Sequence, residues 1–233
     1  MSKQKSRKMD KAIVVALIGL AGTIIAALIA SPFFDRLFPA TPTPQQGAGE
    51  QAATSDRVFW EDFEKGYQSG LSISTEEWQV MEYGDGYVLE VSGTDSGNTS
   101  IAFGPNDFSN GTITFRLLFV NFNGFVLNFR GGLETYTLYL APTGGEIKLG
   151  YSSAANDWKL KPFDDGLRAM DFSENAWYDI KLEADDSSFT LWVEDQKLLA
   201  VEDSRLKQGE TEFAIQYDGT VLLDDIAVYQ ASP

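Results

Sequence analysis

The 233-residue sequence contains neither cysteine nor histidine. Their absence excludes a cysteine or histidine nucleophile, a Ser–His–Asp triad and any zinc site built from thiolate or imidazole ligands. Disulfide bonds are excluded as well, so the hydrophobic core alone must hold the fold together. With 43% hydrophobic and 13% aromatic residues, the chain has enough apolar side chains for one sizeable packed domain.

Basic residues are scarce in the larger part of the chain. From residue 56 onward the sequence holds 12 basic and 31 acidic residues, a net charge of −19, whereas residues 1–11 carry a net charge of +4. A domain this acidic repels nucleic acid and anionic lipid headgroups over about one Debye length, ~8 Å at physiological salt. Nucleic acid is therefore not expected as a partner.

One long stretch without a charged side chain lies near the N-terminus. Residues 12–30 read AIVVALIGLAGTIIAALIA, and at ~1.5 Å rise per residue a helix of this length approaches the ~30 Å hydrocarbon core of a bilayer. A cleavable signal peptide has a shorter apolar region of ~7–15 residues and a small-x-small cleavage site. The exit Leu28-Ile29-Ala30 lacks such a site. An uncleaved transmembrane helix over residues 12–31 is therefore favoured over a signal peptide.

The flanks of this segment predict the orientation and division of the chain. Because residues 1–11 are basic, the positive-inside rule places them in the cytoplasm as a short tail and places the rest of the chain outside. Residues 32–56 form a juxtamembrane segment and a Pro/Gly/Ala linker, too poor in large apolar side chains to form a core. The predicted localisation is the cell membrane, single-pass, with residues 57–233 as an extracytoplasmic domain.

From Val58 onward, short runs rich in Val, Ile, Phe, Tyr, Trp and Thr alternate with turn-forming clusters such as Gly84-Asp85-Gly86, Asn123-Gly124 and Asp218-Gly219. No segment shows a convincing 3.6-residue apolar period. In each predicted strand, the residues that point to one face are apolar. This pattern predicts an all-β fold of two sheets packed face to face. The strands are expected at 58–63, 78–82, 87–91, 99–103, 111–120, 125–130, 134–141, 146–151, 158–163, 177–184, 188–194, 197–202, 212–217 and 221–229.

Longer stretches of the domain resemble a known superfamily. The domain opens with VFWEDFEKG and closes with TVLLDDIAVY, and between them lie GFVLNFRGGLETYTLYLAPTGGEIKLGY, ENAWYDIKLEADDSSFTLWVEDQKLLAVED and GETEFAIQYDG. This order of strands and turns resembles the concanavalin A-like lectin/glucanase superfamily, and within it the laminin G-like and 3-keto-disaccharide-hydrolase-like jelly rolls of bacterial proteins. The resemblance covers residues 57–230. It implies a jelly-roll sandwich that recognises a carbohydrate or cell-surface glycan without catalysis.

Two other functions stay open. The glucanases of this superfamily carry their carboxylates as Glu-x-Asp-x-Glu on one strand, where alternate residues point to the same face. The nearest match, Glu183-Ala184-Asp185-Asp186-Ser187, lacks the final glutamate, and no catalytic residue is predicted. A glycosidase of the 3-keto-disaccharide hydrolase type, which has no compact motif, is one alternative. The other is a structural or protein-interaction module whose partner is an envelope protein.

No cofactor is predicted, with a structural calcium ion as the open alternative. Jelly rolls of this type often hold calcium between their rim loops, and calcium needs six to eight oxygen ligands. Aspartates also terminate turns, which is their more frequent use. The aspartates in predicted loops are Asp85, Asp95, Asp107, Asp164, Asp165 and Asp218.

The stretch TITFRLLFVNFNGFVLNFRG, residues 112–131, carries polar side chains on the parity opposite its core-facing aromatic residues. If strands 111–120, 125–130, 134–141 and 146–151 are neighbours, their non-core parity forms one surface. Arginine and asparagine offer several donors to sugar hydroxyls, and aromatic rings stack on sugar rings. The alternative is a structural ladder in which the arginines bridge the sheet to an acidic loop. The predicted ligand-binding residues are Arg116, Asn128, Arg130, Tyr139, Lys148 and Trp158.

Overall fold

The computed structural model of the protein describes residues 55–66, 71, 77–93, 99–122, 124–215 and 218–231. Within this part of the chain, no helix is long and apolar enough to cross a membrane. The predicted cytoplasmic tail, transmembrane helix and most of the linker lie outside the described residues. The strands are β1 (Ser55–Glu61), β2 (Trp78–Tyr83), β3 (Gly86–Gly93), β4 (Thr99–Phe108), β5 (Gly111–Phe122), β6 (Phe125–Gly131), β7 (Glu134–Ala141), β8 (Glu146–Ser153), β9 (Lys161–Ala169), β10 (Trp177–Asp185), β11 (Ser188–Val193), β12 (Gln196–Glu202), β13 (Gly209–Ile215) and β14 (Gly219–Ala231).

These strands form two antiparallel sheets. The eight-stranded sheet has the order β12-β11-β10-β5-β14-β3-β2, and β1 pairs with the second half of β14, beyond the part that pairs with β3. The six-stranded sheet has the order β4-β13-β6-β7-β8-β9. The prediction of an all-β, two-sheet sandwich is therefore confirmed.

The core lies between the sheets and is rich in phenylalanine and leucine. In β5 and β6, alternate residues from Ile113 onward face inward and are 2% exposed or less, as the period of two requires. Phe115 of β5 meets Phe125 of β6 and Phe213 of β13 across the core, with ring centroids 5.7 and 5.0 Å apart. Burying each such ring contributes roughly 1.5–3 kcal/mol, which supplies the stability that disulfides would otherwise add.

One predicted neighbour relation is wrong, because the chain changes sheets between β5 and β6. β5 pairs with β10 and β14, whereas β6 pairs with β7 and β13. Both strands turn an aromatic face to the core, so the two faces pack against each other instead of lying side by side. The predicted adjacency of β6, β7 and β8 is confirmed.

Candidate functional site

A groove of about 870 Å³ lies over the outer face of the six-stranded sheet. Between β4 and β8, at ~4.8 Å per strand, it crosses about 19 Å of sheet, and its volume falls in the range of ligand sites. The floor consists of outward-facing residues of the sheet, and residues 157–160 form one side. The lining residues are Ser100, Val126, Asn128, Gly131, Gly132, Thr135, Thr137, Tyr139, Lys148, Ser152, Asp157, Trp158, Lys159, Leu160, Pro162, Glu210, Glu212 and Ala214.

A chain of polar side chains runs across the floor of the groove. Asn128 of β6 stands opposite Glu212 of β13 on one side and Thr137 of β7 on the other. Its Nδ2 donates to Glu212 Oε1 at 3.1 Å, and its Oδ1 accepts from the Thr137 hydroxyl at 3.0 Å. The Thr137 and Ser152 hydroxyls are 3.1 Å apart. The Asn128 amide is therefore fixed in one orientation before any ligand arrives.

Tyr139 and Lys148 form the next row across the same face. They stand opposite each other on β7 and β8, and Lys148 Nζ lies 5.7 Å from the centroid of the Tyr139 ring. Lys148 Nζ is also 2.5 Å from Glu146 Oε2. The end of the tyrosine ring lies over Gly124, immediately before β6, where an added Cβ would clash with its Cε2 and hydroxyl oxygen.

Gly124 leaves room for the ring of Tyr139. The Asn-Gly context predicts a positive φ for a hairpin turn at this position. The structure gives Gly124 a further role, because its missing side chain makes room for Tyr139. No signal in the sequence links these two residues, because the contact joins separate strands.

Trp158 stands at the side of the groove on a turn, not on a strand. The predicted strand 158–163 begins only at Lys161 and continues to Ala169, and a 3₁₀ helix at Ala154–Asn156 precedes the tryptophan. Asp157 and Trp158 both have φ of 57°, a left-handed conformation that costs non-glycine residues about 1–2 kcal/mol each. The Trp158 amide donates to the Ser153 carbonyl oxygen at 2.8 Å, which holds this turn. Trp158 is 51% exposed.

Arg130 does not line the groove, although its parity in the sequence matches that of Asn128. The pairing of β6 with β13 gains one residue on β6 between Asn128 and Gly131, and Arg130 has φ of 50° there. This bulge turns the side chain inward, where it is 1% exposed. The guanidinium donates to the carbonyl oxygens of Ser109 (2.9 Å from Nε), Asp186 (2.6 Å) and Leu206 (3.0 Å). Arg130 therefore bridges the sheet to neighbouring segments of the chain, which is the structural role and not the ligand-binding one.

Arg116 lies on the opposite side of the sandwich, on the outer face of β5. Its Nη1 is 3.4 Å from Asp224 Oδ2 and 3.6 Å from Asp225 Oδ2, and its Nε is 3.6 Å from Asp179 Oδ1. The guanidinium carbon lies 4.7 Å from the centroid of the Trp177 ring. Burial, together with the charge of Asp225, raises the pKa of Asp224 from its usual 3.8 to about 6. The prediction that one surface holds all six residues is therefore wrong for both arginines.

The structure thus brings together Asn128, Tyr139, Lys148 and Trp158 of the predicted residues. It adds Glu210 and Glu212, which the sequence did not indicate. The outward parity of Glu212 is readable from the pattern of β13, but its place beside Asn128 depends on a pairing between strands 84 residues apart.

The described residues contain no group of three carboxylates arranged to hold a metal ion. Asp95, one of the six loop aspartates, lies outside the described residues. The structural calcium ion stays the open alternative to the prediction of no cofactor.

Neither a protein-family model nor a curated protein matches the sequence, but solved structures match the fold. The carbohydrate binding module CBM66 from Bacillus subtilis is 14% identical, with a TM-score of 0.52 over 73% of this chain and 95% of that one. A protein of unknown function with a galectin-like fold, also from Bacillus subtilis, is 16% identical, with a TM-score of 0.53 over 66% of this chain and 87% of that one.

A third match is domain 4 of an extracellular GH43 arabinanase from Geobacillus stearothermophilus, in complex with arabinotriose. It is 9% identical, with a TM-score of 0.52 over 76% of this chain and 93% of that domain. The fold is a jelly-roll-like β-sandwich. This agrees with the concanavalin A-like fold that the sequence resembles.

Proposed function

We propose that the domain binds a carbohydrate chain in the groove over the six-stranded sheet and does not catalyse a reaction on it. The observation that carries the proposal is the exposed Trp158 ring beside a polar floor. Among the described residues, a cation lies over the rings of Trp60, Trp177 and Trp192, but none lies over Trp158. An uncovered aromatic face at the side of a groove suits the apolar face of a sugar ring.

The polar floor supplies the second element of sugar recognition. Asn128 and Glu212 are held by each other and by Thr137, so little side-chain freedom is lost when a ligand binds. An amide and a carboxylate together offer donors and acceptors to vicinal hydroxyl groups. The span of about 19 Å suits an oligosaccharide rather than a single sugar.

Two of the structural neighbours support the proposal by what they bind. One is a carbohydrate binding module, and the other is a domain in complex with arabinotriose. The same sandwich architecture therefore serves carbohydrate binding in other proteins.

Hydrolysis is the second candidate, because Glu210 and Glu212 line the same groove. A glycosidase needs two carboxylates on opposite sides of the scissile bond. Glu210 and Glu212 are alternate residues of one strand, as in the Glu-x-Asp-x-Glu pattern, but position 214, where that pattern has its final glutamate, is Ala214, so the pattern is incomplete. Release of reducing ends from an oligosaccharide panel, abolished in Glu212→Gln, would favour the enzyme over the binding module.

The test of binding is a glycan array probed with the full chain in detergent micelles, followed by calorimetry on the glycans that bind. Trp158→Ala should weaken binding about tenfold, which corresponds to ~1.4 kcal/mol. Trp192→Ala is the matched control, since it removes a tryptophan from the other sheet face, and it should leave affinity unchanged. A blank array from folded protein would contradict the proposal and favour a protein-interaction module with an envelope partner.

We also propose, from the sequence, that residues 12–31 anchor the domain at the outer face of the cell membrane. The full chain should then stay with membranes after extraction at high pH, and protease added to intact cells should remove the domain. Release of the chain into the alkaline supernatant would contradict the anchor without bearing on the groove.

A further inference from the structure

We infer that the groove takes uncharged oligosaccharides and discriminates against acidic ones, with Glu210 and Glu212 of β13 as the specificity-determining residues. The inference rests on the proposed function and names the ligand class of the same site. It starts from how the charges of the groove are partnered.

Each positive charge of the groove has a carboxylate within 4 Å. Of the lining residues, only Lys148 and Lys159 are basic. Lys148 Nζ lies 2.5 Å from Glu146 Oε2, and Lys159 Nζ lies 3.8 Å from Asp157 Oδ2. An acidic sugar would have to compete with these carboxylates for either cation.

The negative charges on β13 have no such partner. Glu210 and Glu212 are alternate residues of one strand and both line the groove. No lysine or arginine of the described residues forms an ion pair with either carboxylate. The Glu212 carboxylate accepts its hydrogen bond from the neutral amide of Asn128. The β13 side of the groove is therefore an acceptor surface with net negative charge.

Such a surface treats neutral and acidic sugars differently. Sugar hydroxyls donate to carboxylates in charge-assisted hydrogen bonds, which are stronger than neutral ones. A uronic or sialic carboxylate in the same place has no proton to donate and is repelled by Glu210 and Glu212. Repulsion between like charges within a partly desolvated groove is larger than at an open surface.

The experiment uses matched pairs of oligosaccharides that share a backbone and differ in one feature. Because the sugar is unidentified, the set includes glucan, xylan, galactan, arabinan and fructan oligosaccharides, each with and without carboxyl groups introduced by oxidation of the primary hydroxyls or by a uronic acid branch. Affinities for the full chain in micelles are measured by calorimetry at low and high salt. For each backbone that binds, we expect the acidic member to bind at least about tenfold more weakly at low salt. The difference should shrink at high salt, because salt screens the repulsion.

Two double variants separate the groove from the overall charge of the domain. Glu210→Gln with Glu212→Gln should raise the affinity for the acidic members and reduce the discrimination to about threefold or less, while hydrogen-bond acceptors remain for neutral sugars. Glu174→Gln with Glu202→Gln removes the same charge from exposed positions away from the groove and should preserve the discrimination.

The outcomes distinguish this inference from the function on which it rests. If no member of any pair binds folded protein, the proposed function fails and this inference falls with it. If acidic members bind as tightly as neutral ones, the inference alone is overturned. Equal loss of discrimination in both double variants would also overturn it, since the net charge of the domain would then be responsible.

Discussion

On the outer face of the eight-stranded sheet, two tryptophan rings are each covered by a cation. The guanidinium of Arg116 lies 4.7 Å from the centroid of the Trp177 ring, and Lys181 Nζ lies 4.7 Å from the centroid of the Trp192 ring. On the outer face of the six-stranded sheet, Trp158 stands at the side of a groove with no described cation over it. The tryptophan rings of the two faces therefore differ in whether a cation covers them.

Carboxylates complete the coverage on the eight-stranded face. Lys181 Nζ donates to Glu183 Oε1 at 2.8 Å, and the Trp192 indole donates to Glu183 Oε2 at 3.1 Å. Burial alone would raise the pKa of Glu183, but the hydrogen bonds from Lys181 and Trp192 outweigh it and lower the pKa. Aromatic and cationic residues in a strand therefore do not identify a binding face by themselves. The groove differs in two ways. No cation of the described residues lies over the Trp158 ring, and none forms an ion pair with the carboxylates of Glu210 and Glu212.

The largest expected effect comes from comparing the two arginines that the sequence grouped together. Arg130→Met should lower the free energy of unfolding by about 3 kcal/mol or more, because it removes a buried guanidinium and leaves three carbonyl groups without their donor. Arg116→Met removes a half-exposed guanidinium with ion pairs at 3.4–3.6 Å, and such pairs contribute about 1 kcal/mol or less. Urea denaturation of both variants measures the difference. Equal losses of stability in the two variants would contradict the distinction between a buried Arg130 and an Arg116 that forms only surface ion pairs.

The same comparison shows what strand patterns can predict. Alternation in 112–131 identifies the core faces of β5 and β6, because each inward residue must be apolar for the sandwich to close. Alternation cannot say that β5 and β6 belong to different sheets, since each presents its aromatic face to the core in either arrangement. It also cannot reveal the bulge at Arg130, where one left-handed residue reverses the parity.

The candidate site was predictable where neighbouring strands follow one another in the chain. Asn128, Tyr139 and Lys148 lie on β6, β7 and β8, which pair in sequence order, so their outward parity was enough to group them. Glu212 was missed because β13 inserts between β4 and β6 from far along the chain. Pairings of such long range depend on the whole topology and are not encoded in any local pattern.

The second prediction concerns Asp224, on the outer face of the eight-stranded sheet, and how the free energy of unfolding depends on pH. The pKa of Asp224 is raised to about 6 in the folded protein, so between pH 4 and pH 6 the folded state binds more protons than the unfolded state. Its contribution to the free energy of unfolding therefore falls as pH rises through this window, by about 2 kcal/mol. Asp224→Asn removes this decline, which denaturation curves at pH 4, 5, 6 and 7 can measure. An identical pH profile in the variant and the wild type would show that the pKa of Asp224 is not raised in the folded protein.

The third prediction concerns Gly124, which lies beside Tyr139 at the groove. In Gly124→Ala, the new Cβ would displace the Tyr139 ring from its place beside the groove floor. We expect glycan affinity to fall about fivefold, ~1 kcal/mol, with little loss of stability because the displaced atoms are the far end of a flexible side chain. Gly86→Ala is the matched control, since a Cβ there also meets only the end of a flexible side chain, that of Glu64, on the other sheet, and the residue lacks a positive φ. Equal affinities of the two variants would remove Tyr139 from the site.

The smallest expected effect tests whether an uncovered tryptophan is sufficient by itself. Lys181→Ala exposes the Trp192 ring and removes one surface ion pair, so the free energy of unfolding should fall by only about 0.5 kcal/mol. Combined with Trp158→Ala, it leaves a chain with one uncovered tryptophan on the wrong sheet face. We expect glycan affinity to stay as low as in Trp158→Ala alone, because Trp192 does not line the groove that holds Glu212, Asn128 and Thr137. Recovery of affinity in the double variant would mean that an exposed tryptophan ring is sufficient for glycan binding and that the groove floor is not needed.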